Sequence, residues 1–190
     1  MIARADRVIV DLGTGDGRAV VRRAAADPAA LVIGIDAAAS AMREASQRAA
    51  RRGPSNALFL AAGVETLGET VLAGRADVAT VTMPWGSLLR GVLGLDLAAM
   101  VGIASVVAPA GRVVVLASIA PLDGIAGIAT LDATMERDIR RAWADIGIDL
   151  LSMRPASLDD VAASGSSWAR RLRSGARDRA VWRLELGRRS

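Results

Sequence analysis

The chain of 190 residues contains no cysteine and no histidine. The absence of cysteine excludes a disulfide scaffold, a cysteine-ligated zinc site, an iron–sulfur cluster and a thiol nucleophile. The absence of histidine excludes a Ser-His-Asp triad, a histidine metal site and a histidine general base. We therefore expect no metal site, and an enzyme of this composition must rely mainly on binding, positioning and carboxylates.

Lysine is also absent, so all 24 basic residues are arginine, against 20 acidic residues and a formal net charge of +4. The arginines are unevenly distributed. Residues 166–190 hold eight arginines and two carboxylates, whereas the rest of the chain is slightly acidic. A basic C-terminal part on a slightly acidic body indicates a polyanionic partner, of which nucleic acid is the first candidate.

Long apolar runs are missing as well. The longest uncharged stretch, Leu97 to Gly111, has about 15 residues and contains Pro109, whereas a membrane-spanning helix needs about 20 apolar residues. No apolar segment follows the charged residues at the N-terminus, so no signal peptide is predicted. We expect a cytoplasmic protein without membrane contact, folded as a single domain over residues 1–190.

Predicted strands and helices alternate along the chain. Short apolar runs predict strands at 8–12, 31–35, 57–61, 76–82, 112–118, 148–153 and 180–186. Helical periodicity and stop signals predict helices at 16–26, 40–52, a broken region over 87–107, and 132–146, with a capping box at 157–160 opening a short helix. This alternation predicts an α/β fold with a mostly parallel seven-stranded sheet and helices on both faces. The last strand can run antiparallel, because no full crossover helix precedes it.

A glycine-rich loop, Asp-Leu-Gly-Thr-Gly-Asp-Gly at 11–17, follows the first predicted strand and opens the first predicted helix. Asp36 ends the second strand, where a carboxylate accepts hydrogen bonds from ribose hydroxyls. The glycine spacing differs from the G-x-G-x-x-G of dinucleotide sites, and the flanking Asp11 and Asp16 are poor neighbours for a pyrophosphate. These carboxylates favour a ligand with a cationic end, such as the ammonium and sulfonium of S-adenosylmethionine.

Aromatic residues are few, and four of the five are tryptophan. Trp143, on an apolar helical stripe, and Trp182, in a strand, are predicted to pack in the core. Trp85 lies just past the fourth strand, at the sheet edge where ligands bind open α/β sheets. Trp168 precedes the arginine cluster, an arrangement typical of a base-stacking platform beside a phosphate-binding surface. Trp85 and Trp168 are therefore candidate substrate contacts, with a buried anchor under a loop as the alternative.

Three segments together resemble the aminoglycoside-resistance 16S rRNA adenine-1408 N1-methyltransferases of the Kam type. They are the glycine loop at 11–17, Met-Pro-Trp-Gly-Ser-Leu-Leu-Arg-Gly-Val-Leu-Gly at 83–94, and Ser-Trp-Ala-Arg-Arg-Leu at 167–172 followed by Arg-Asp-Arg at 177–179. The resemblance extends over nearly the whole chain. It implies a class I, Rossmann-like methyltransferase fold, S-adenosylmethionine as the cofactor, and 16S rRNA within the 30S subunit as the partner.

The resemblance also implies roles for individual residues. Trp85 and Trp168 match the pair that sandwiches the flipped adenine, and we assign them to catalysis. The expected cofactor-binding residues are Asp11, Gly13, Thr14, Gly15, Asp36, Ala37, Glu65, Pro84, Trp85, Ser87 and Ser166. The expected RNA-binding residues are Arg48, Arg51, Arg52, Arg171, Arg177 and Arg179.

Two departures from the family pattern concern the rRNA surface. Ten residues precede Asp11, where the family has an additional N-terminal segment, and residues 119–131 carry only Asp123 as a charge. Three other functions stay open. They are a small-molecule methyltransferase, a catalytically weak RNA-binding relative and, more distantly, a NAD-dependent oxidoreductase, which the glycine spacing disfavours. We expect a monomer.

Overall fold

The structure is a computed structural model that describes residues 5–119, 125, 128, 130–166 and 180–188. The strands are β1 Arg7–Leu12, β2 Ala30–Asp36, β3 Ala57–Ala61, β4 Ala76–Thr82, β5 Val107–Ala117, β6 Ile148–Pro155 and β7 Trp182–Arg188. The α-helices are α1 Arg18–Ala26, α2 Ala39–Arg52, α3 Gly86–Val92, α4 Leu97–Val106, α5 Glu136–Ala144 and α6 Leu158–Ala163. Two short 3₁₀ helices cover Val64–Glu69 and Ala133–Met135.

The strands form one seven-stranded sheet in the order β3-β2-β1-β4-β5-β7-β6. The first five strands pair in parallel. Strand β7 lies between β5 and β6 and pairs antiparallel with both. The α/β fold is confirmed, and so is the antiparallel last strand, which makes the sheet mixed rather than purely parallel.

Three predicted element boundaries are wrong. The fifth strand was expected from Arg112 but begins at Val107, because a register irregularity near Ala76 lets the pairing with β4 extend further back. The first helix was expected from Asp16 but begins at Arg18, because Gly17 has a left-handed φ of 67° that a right-handed helix does not continue. The helix expected over 132–146 is a 3₁₀ turn followed by α5.

Strands β1 and β2 are buried over almost their whole length, as expected for parallel strands covered on both faces. Trp143 is fully buried, and its Nε1 donates a hydrogen bond to the Val92 carbonyl oxygen at 3.1 Å, which confirms its predicted core position. Trp182 is partly buried and packs against the same core.

The helices of the described part of the chain are short. None of them alone is long and apolar enough to cross a membrane, and α3 and α4 meet that criterion only as a joined pair bent by 79°. Gly94, with a φ of 80°, lies between α3 and α4, within the region 87–107 that the sequence predicted to be broken.

Candidate functional site

A cleft of about 600 Å³ opens where β1, β2 and β4 end, the edge at which open α/β sheets bind ligands. Its volume lies within the range of about 300–1,000 Å³ typical of small-molecule sites. Every residue that the sequence predicted for cofactor binding lines this cleft: Asp11, Gly13, Thr14, Gly15, Asp36, Ala37, Glu65, Pro84, Trp85, Ser87 and Ser166. The fold therefore brings together residues that are spread over most of the chain.

The glycine loop shapes one wall of the cleft. Gly13, Gly15 and Gly17 all have left-handed φ angles, between 57° and 70°, a conformation that other residues rarely adopt. A Cβ atom at Gly13 would lie 2.7 Å from the Leu88 side chain, so glycine is also needed there for close packing. At Gly15 a Cβ would meet no atom within 4 Å. The loop therefore packs tightly at one glycine and presents open space at the next, as a ligand-binding turn requires.

Asp36 holds the glycine loop against the start of α2. Its Oδ2 accepts a hydrogen bond from the Gly15 amide at 2.8 Å, and its Oδ1 accepts one from the Ala38 amide at 2.9 Å. A carboxylate has about four acceptor positions, and Asp36 is only partly buried. It therefore keeps acceptor capacity toward the cleft while it fixes the loop.

Asp11 is the buried carboxylate of the site, with 9% of its surface exposed. Its Oδ1 accepts a hydrogen bond from the Thr80 hydroxyl at 2.6 Å. Burial raises the pKa of Asp11 above the ordinary value, although the Thr80 hydrogen bond and the positive charge of Arg23 act in the opposite direction. A carboxylate in this position gains from any cation that enters the cleft.

The segment after β4 makes a sharp turn that places Trp85 at the rim. Met83 has a left-handed φ of 51°, and its amide donates a hydrogen bond to the Leu116 carbonyl oxygen at 2.7 Å. Pro84 is buried beneath the turn, whereas Trp85 is 54% exposed. The turn thus presents a large aromatic surface beside the cleft.

The predicted RNA-binding residues divide into two groups. Arg48, Arg51 and Arg52 are exposed on the second half of α2, outside the cleft, and Arg48 forms an ion pair with Glu44 at 2.8 Å. The remaining predicted residues, Trp168, Arg171, Arg177 and Arg179, lie outside the residues that the structure describes.

Several cleft-lining residues were not predicted from the sequence. They are Leu12, Ala19, Ile35, Ala62, Gly63, Val64, Leu67, Thr82, Met83 and Leu88, whereas Asp16, which the sequence marked as a carboxylate beside the ligand, also lines the cleft. Ala62 and Gly63 directly follow β3, so the rule that ligands bind at carboxyl ends of strands was a signal for them. Leu67 and Leu88 come from helical segments that fold back over the sheet, and no local pattern marked them.

The chain is similar to several 16S rRNA (adenine(1408)-N(1))-methyltransferases. The family model NpmA: 16S rRNA (adenine(1408)-N(1))-methyltransferase matches residues 1–187. A 16S rRNA (adenine(1408)-N(1))-methyltransferase of Streptoalloteichus hindustanus is 34% identical over 184 residues, which cover 92% of this chain and 83% of the relative. The protein of the same name from Streptoalloteichus tenebrarius is 36% identical with the same coverage.

Solved structures agree with the sequence matches. The 16S rRNA methyltransferase KamB superposes with a TM-score of 0.86 at 31% identity, over 99% of this chain and 90% of that one. A second structure is a tryptophan-to-alanine mutant of the Catenulisporales acidiphilia 16S rRNA (adenine(1408)-N(1))-methyltransferase, solved with its cosubstrate SAM. It superposes with a TM-score of 0.85 at 32% identity, over 100% of this chain and 88% of that one. The antibiotic-resistance methyltransferase Kmr superposes with a TM-score of 0.80 at 30% identity, over 100% of this chain and 90% of that one.

Proposed function

Because this chain belongs to the NpmA family of 16S rRNA (adenine(1408)-N(1))-methyltransferases, we propose that it transfers a methyl group from S-adenosylmethionine to N1 of adenine 1408 in the 30S subunit. It acts as a cytoplasmic monomer, and the modified decoding site resists aminoglycosides. The observation that carries the proposal is the juxtaposition of an exposed Trp85 with the glycine loop and buried Asp11 around one cleft.

The cleft suits S-adenosylmethionine in size, charge and shape. The space beside Gly15 lets a ligand approach the backbone, and Asp11 offers negative charge to an ammonium group. Asp36 stands at the end of β2, where ribose hydroxyls bind in this kind of fold. We propose that Glu65, Ala37, Pro84, Ser87 and Ser166 complete the binding site.

The bound cofactor supplies an electrophilic methyl group on a positively charged sulfur. Neutral adenine already has a free lone pair at N1, so the attack needs no general base, which agrees with the absence of histidine and cysteine. The protein's task is to align N1 with the methyl group, since positioning alone contributes a large part of such rate accelerations. The geometry of the cleft, rather than proton transfer, therefore governs the reaction.

Adenine in folded RNA is stacked and must be extruded before N1 is accessible, at a cost of a few kcal/mol. Stacking on an aromatic side chain returns roughly 1–3 kcal/mol per base. Trp85 is exposed at the cleft rim and provides such a surface, and the family resemblance assigns Trp168 to the opposite face of the base. An indole face also favours the positive charge that methylation delivers to adenine.

The RNA backbone is held by arginine. Arg48, Arg51 and Arg52 form an exposed basic group on α2, and the sequence adds Arg171, Arg177 and Arg179 by resemblance. Phosphate contacts of this kind orient a protein on RNA without reading its sequence. We therefore propose that the enzyme recognises the shape of the assembled 30S subunit.

The test is incubation of 30S subunits with labelled S-adenosylmethionine, followed by reverse-transcription mapping of the modified nucleotide. A stop at adenine 1408 is the expected result. Label in a small molecule but not in 30S subunits would favour a small-molecule methyltransferase. Binding of 30S subunits without S-adenosylmethionine binding would favour a non-catalytic RNA-binding relative.

Substitution of Trp85 separates its role in base stacking from a role in cofactor binding. We expect Trp85→Ala to lower the methylation rate on 30S subunits about 5- to 150-fold, the equivalent of one lost stacking surface, and Trp85→Phe to retain most of it. Calorimetric titration with S-adenosylmethionine is the companion measurement. If affinity for the cofactor falls as much as methylation does, Trp85 is a cofactor contact and not a stacking surface.

A further inference from the structure

Beneath the glycine loop, three side chains from three elements form a continuous hydrogen-bonded chain. Asp11 and Thr80 are directly paired across β1 and β4, and the Thr80 hydroxyl lies 2.6 Å from the Asp11 Oδ1. The Arg23 Nη1, reaching in from α1, lies 3.4 Å from the same hydroxyl oxygen. Thr80 is 7% exposed and Arg23 is partly buried. An arginine is thus linked to the buried carboxylate of the cofactor cleft through a single hydroxyl.

The chemistry of the three groups sets the direction of this chain. A guanidinium only donates hydrogen bonds, and an ionised carboxylate only accepts them. The Thr80 hydroxyl must therefore accept from Arg23 and donate its one hydrogen to Asp11. The hydrogen bond from Thr80 to Oδ1 is stronger when Asp11 is ionised, so this arrangement favours the charged carboxylate and holds its Oδ1 in one position.

Arg23 has no carboxylate of its own within ion-pair distance among the described residues. Its positive charge acts instead on Asp11 and lowers the pKa of that group, whereas burial and the negative charge of Asp36 on β2 raise it. Asp16, in the glycine loop, is a further carboxylate lining the same cleft. Arg23 is therefore a positive charge that opposes the negative charge of Asp36 and the loss of solvent around Asp11.

We propose that Arg23, acting through the Thr80 hydroxyl, is a positioning residue that keeps Asp11 an oriented anion for the cationic amino-acid end of the methyl donor. This inference rests on the proposed function, since it assigns Asp11 the ammonium of S-adenosylmethionine. Arg23 itself does not line the cleft. Arg23 strengthens binding of the charged amino-acid end of the ligand and does not change binding of the nucleoside.

The binding test compares two ligands. S-adenosylmethionine carries the ammonium and sulfonium charges, whereas 5′-methylthioadenosine has the same nucleoside without either. We expect Arg23→Met to weaken binding of S-adenosylmethionine about tenfold at pH 6.5, because charge-assisted hydrogen bonds to an ionised acceptor are lost. Affinity for 5′-methylthioadenosine stays unchanged. Arg23→Lys keeps the charge and retains most of the affinity, and Arg141→Met, on the exposed face of α5, is the matched control.

The pH profile distinguishes a role in ionisation from a purely structural one. Affinity for S-adenosylmethionine rises with pH as Asp11 ionises, and in Arg23→Met this rise moves to higher pH. The Asp11 carboxyl, followed by carbon-13 NMR in the ligand-free protein, titrates at correspondingly higher pH in the variant. If Arg23→Met does not fold, Thr80→Val, with Thr80→Ser as its control, removes the same link and is expected to show the same two shifts.

The outcomes separate this inference from the proposed function. If Arg23→Met weakens binding of both ligands equally, or if the Asp11 titration is unchanged in a folded variant, the inference is overturned and the proposed methyl transfer is left intact. Failure of the unmodified protein to bind S-adenosylmethionine at any pH would overturn the proposed function itself.

Discussion

Gly102 controls how closely α4 approaches the proposed cofactor cleft. A Cβ atom at this position would lie 1.8 Å from the Val64 carbonyl oxygen and 3.4 Å from the Glu65 Cα. Glu65 and Val64 belong to the 3₁₀ helix that lines the cleft. The absence of a side chain at Gly102 therefore sets the position of a predicted cofactor contact that is 37 residues away in the sequence.

We expect Gly102→Ala to destabilise the protein by about 1–3 kcal/mol, the usual cost of forcing extra atoms into a packed site, even though alanine is the better helix former by about 1 kcal/mol. Urea unfolding measures the free energy of unfolding. Titration with S-adenosylmethionine measures whether a displacement of Glu65 changes the affinity for the cofactor. Gly68→Ala is the control, since its nearest neighbour would lie 3.5 Å away. A variant as stable as the original would show that α4 and the 3₁₀ helix separate easily.

At the scale of elements, α6 begins with a capping box, as the sequence predicted. The Ser157 hydroxyl accepts from the Asp160 amide at 3.1 Å, and the Asp160 Oδ2 accepts from the Ser157 amide at 2.8 Å. Asp160 also forms ion pairs with Arg154 on β6 and Arg183 on β7. The cap thus joins α6 to two strands, and α6 leads directly to Ser166 in the cleft.

These contacts make part of the stability dependent on pH. The Arg154 guanidinium and the Ser157 amide hold the pKa of Asp160 well below its ordinary value of 3.8. When the pKa of a carboxyl is lower in the folded than in the unfolded state, its contacts contribute their full stabilisation above the pKa of the unfolded state. This contribution is lost as pH falls below that value. We expect Asp160→Asn to lower the melting temperature at pH 6 and to differ progressively less from the original as pH falls below about 4.

The exposed neighbour Asp159, in the same helical turn, provides the control variant Asp159→Asn. Its melting temperature is expected to follow that of the original protein across the same pH range. If the melting temperatures of Asp160→Asn and the original differ by the same amount at every pH, the contacts of Asp160 contribute to stability independently of its charge.

At the scale of the whole molecule, the proposed RNA surface and the proposed cofactor cleft lie apart, and we expect binding at the two sites to respond differently to salt. The arginines at the end of α2 are exposed and outside the cleft. Binding that neutralises phosphates releases counterions, so its affinity falls steeply as salt rises, whereas a small zwitterionic ligand in a cleft releases few.

We expect 30S binding to weaken with salt and S-adenosylmethionine binding to change little. Each of Arg51→Ala and Arg52→Ala should reduce the slope of the logarithm of 30S affinity against the logarithm of salt by about 1 if it contacts one phosphate. Arg141→Ala on α5 is the control. An unchanged slope in both α2 variants would remove this surface from the RNA interface.

Much of the fold was accessible from local patterns. Apolar runs identified each strand, and the Ser157–Asp160 pattern identified the start of α6, because these signals lie within a few residues of one another. The errors fell at boundaries. The backward extension of β5 to Val107 depends on its pairing with β4, which no single segment encodes.

The sequence by itself determined the alternating elements, the glycine turns and the residue types of the cleft, because backbone conformation and side-chain chemistry are local properties. Only the tertiary structure decided that β7 lies between β5 and β6, that Gly102 packs against Val64, and that Arg23 reaches Asp11 through Thr80. Thr80 and Asp11 are 69 residues apart. Contacts of that range arise from the packing of whole elements, where many weak interactions are summed, and the sequence carries no short pattern that marks them.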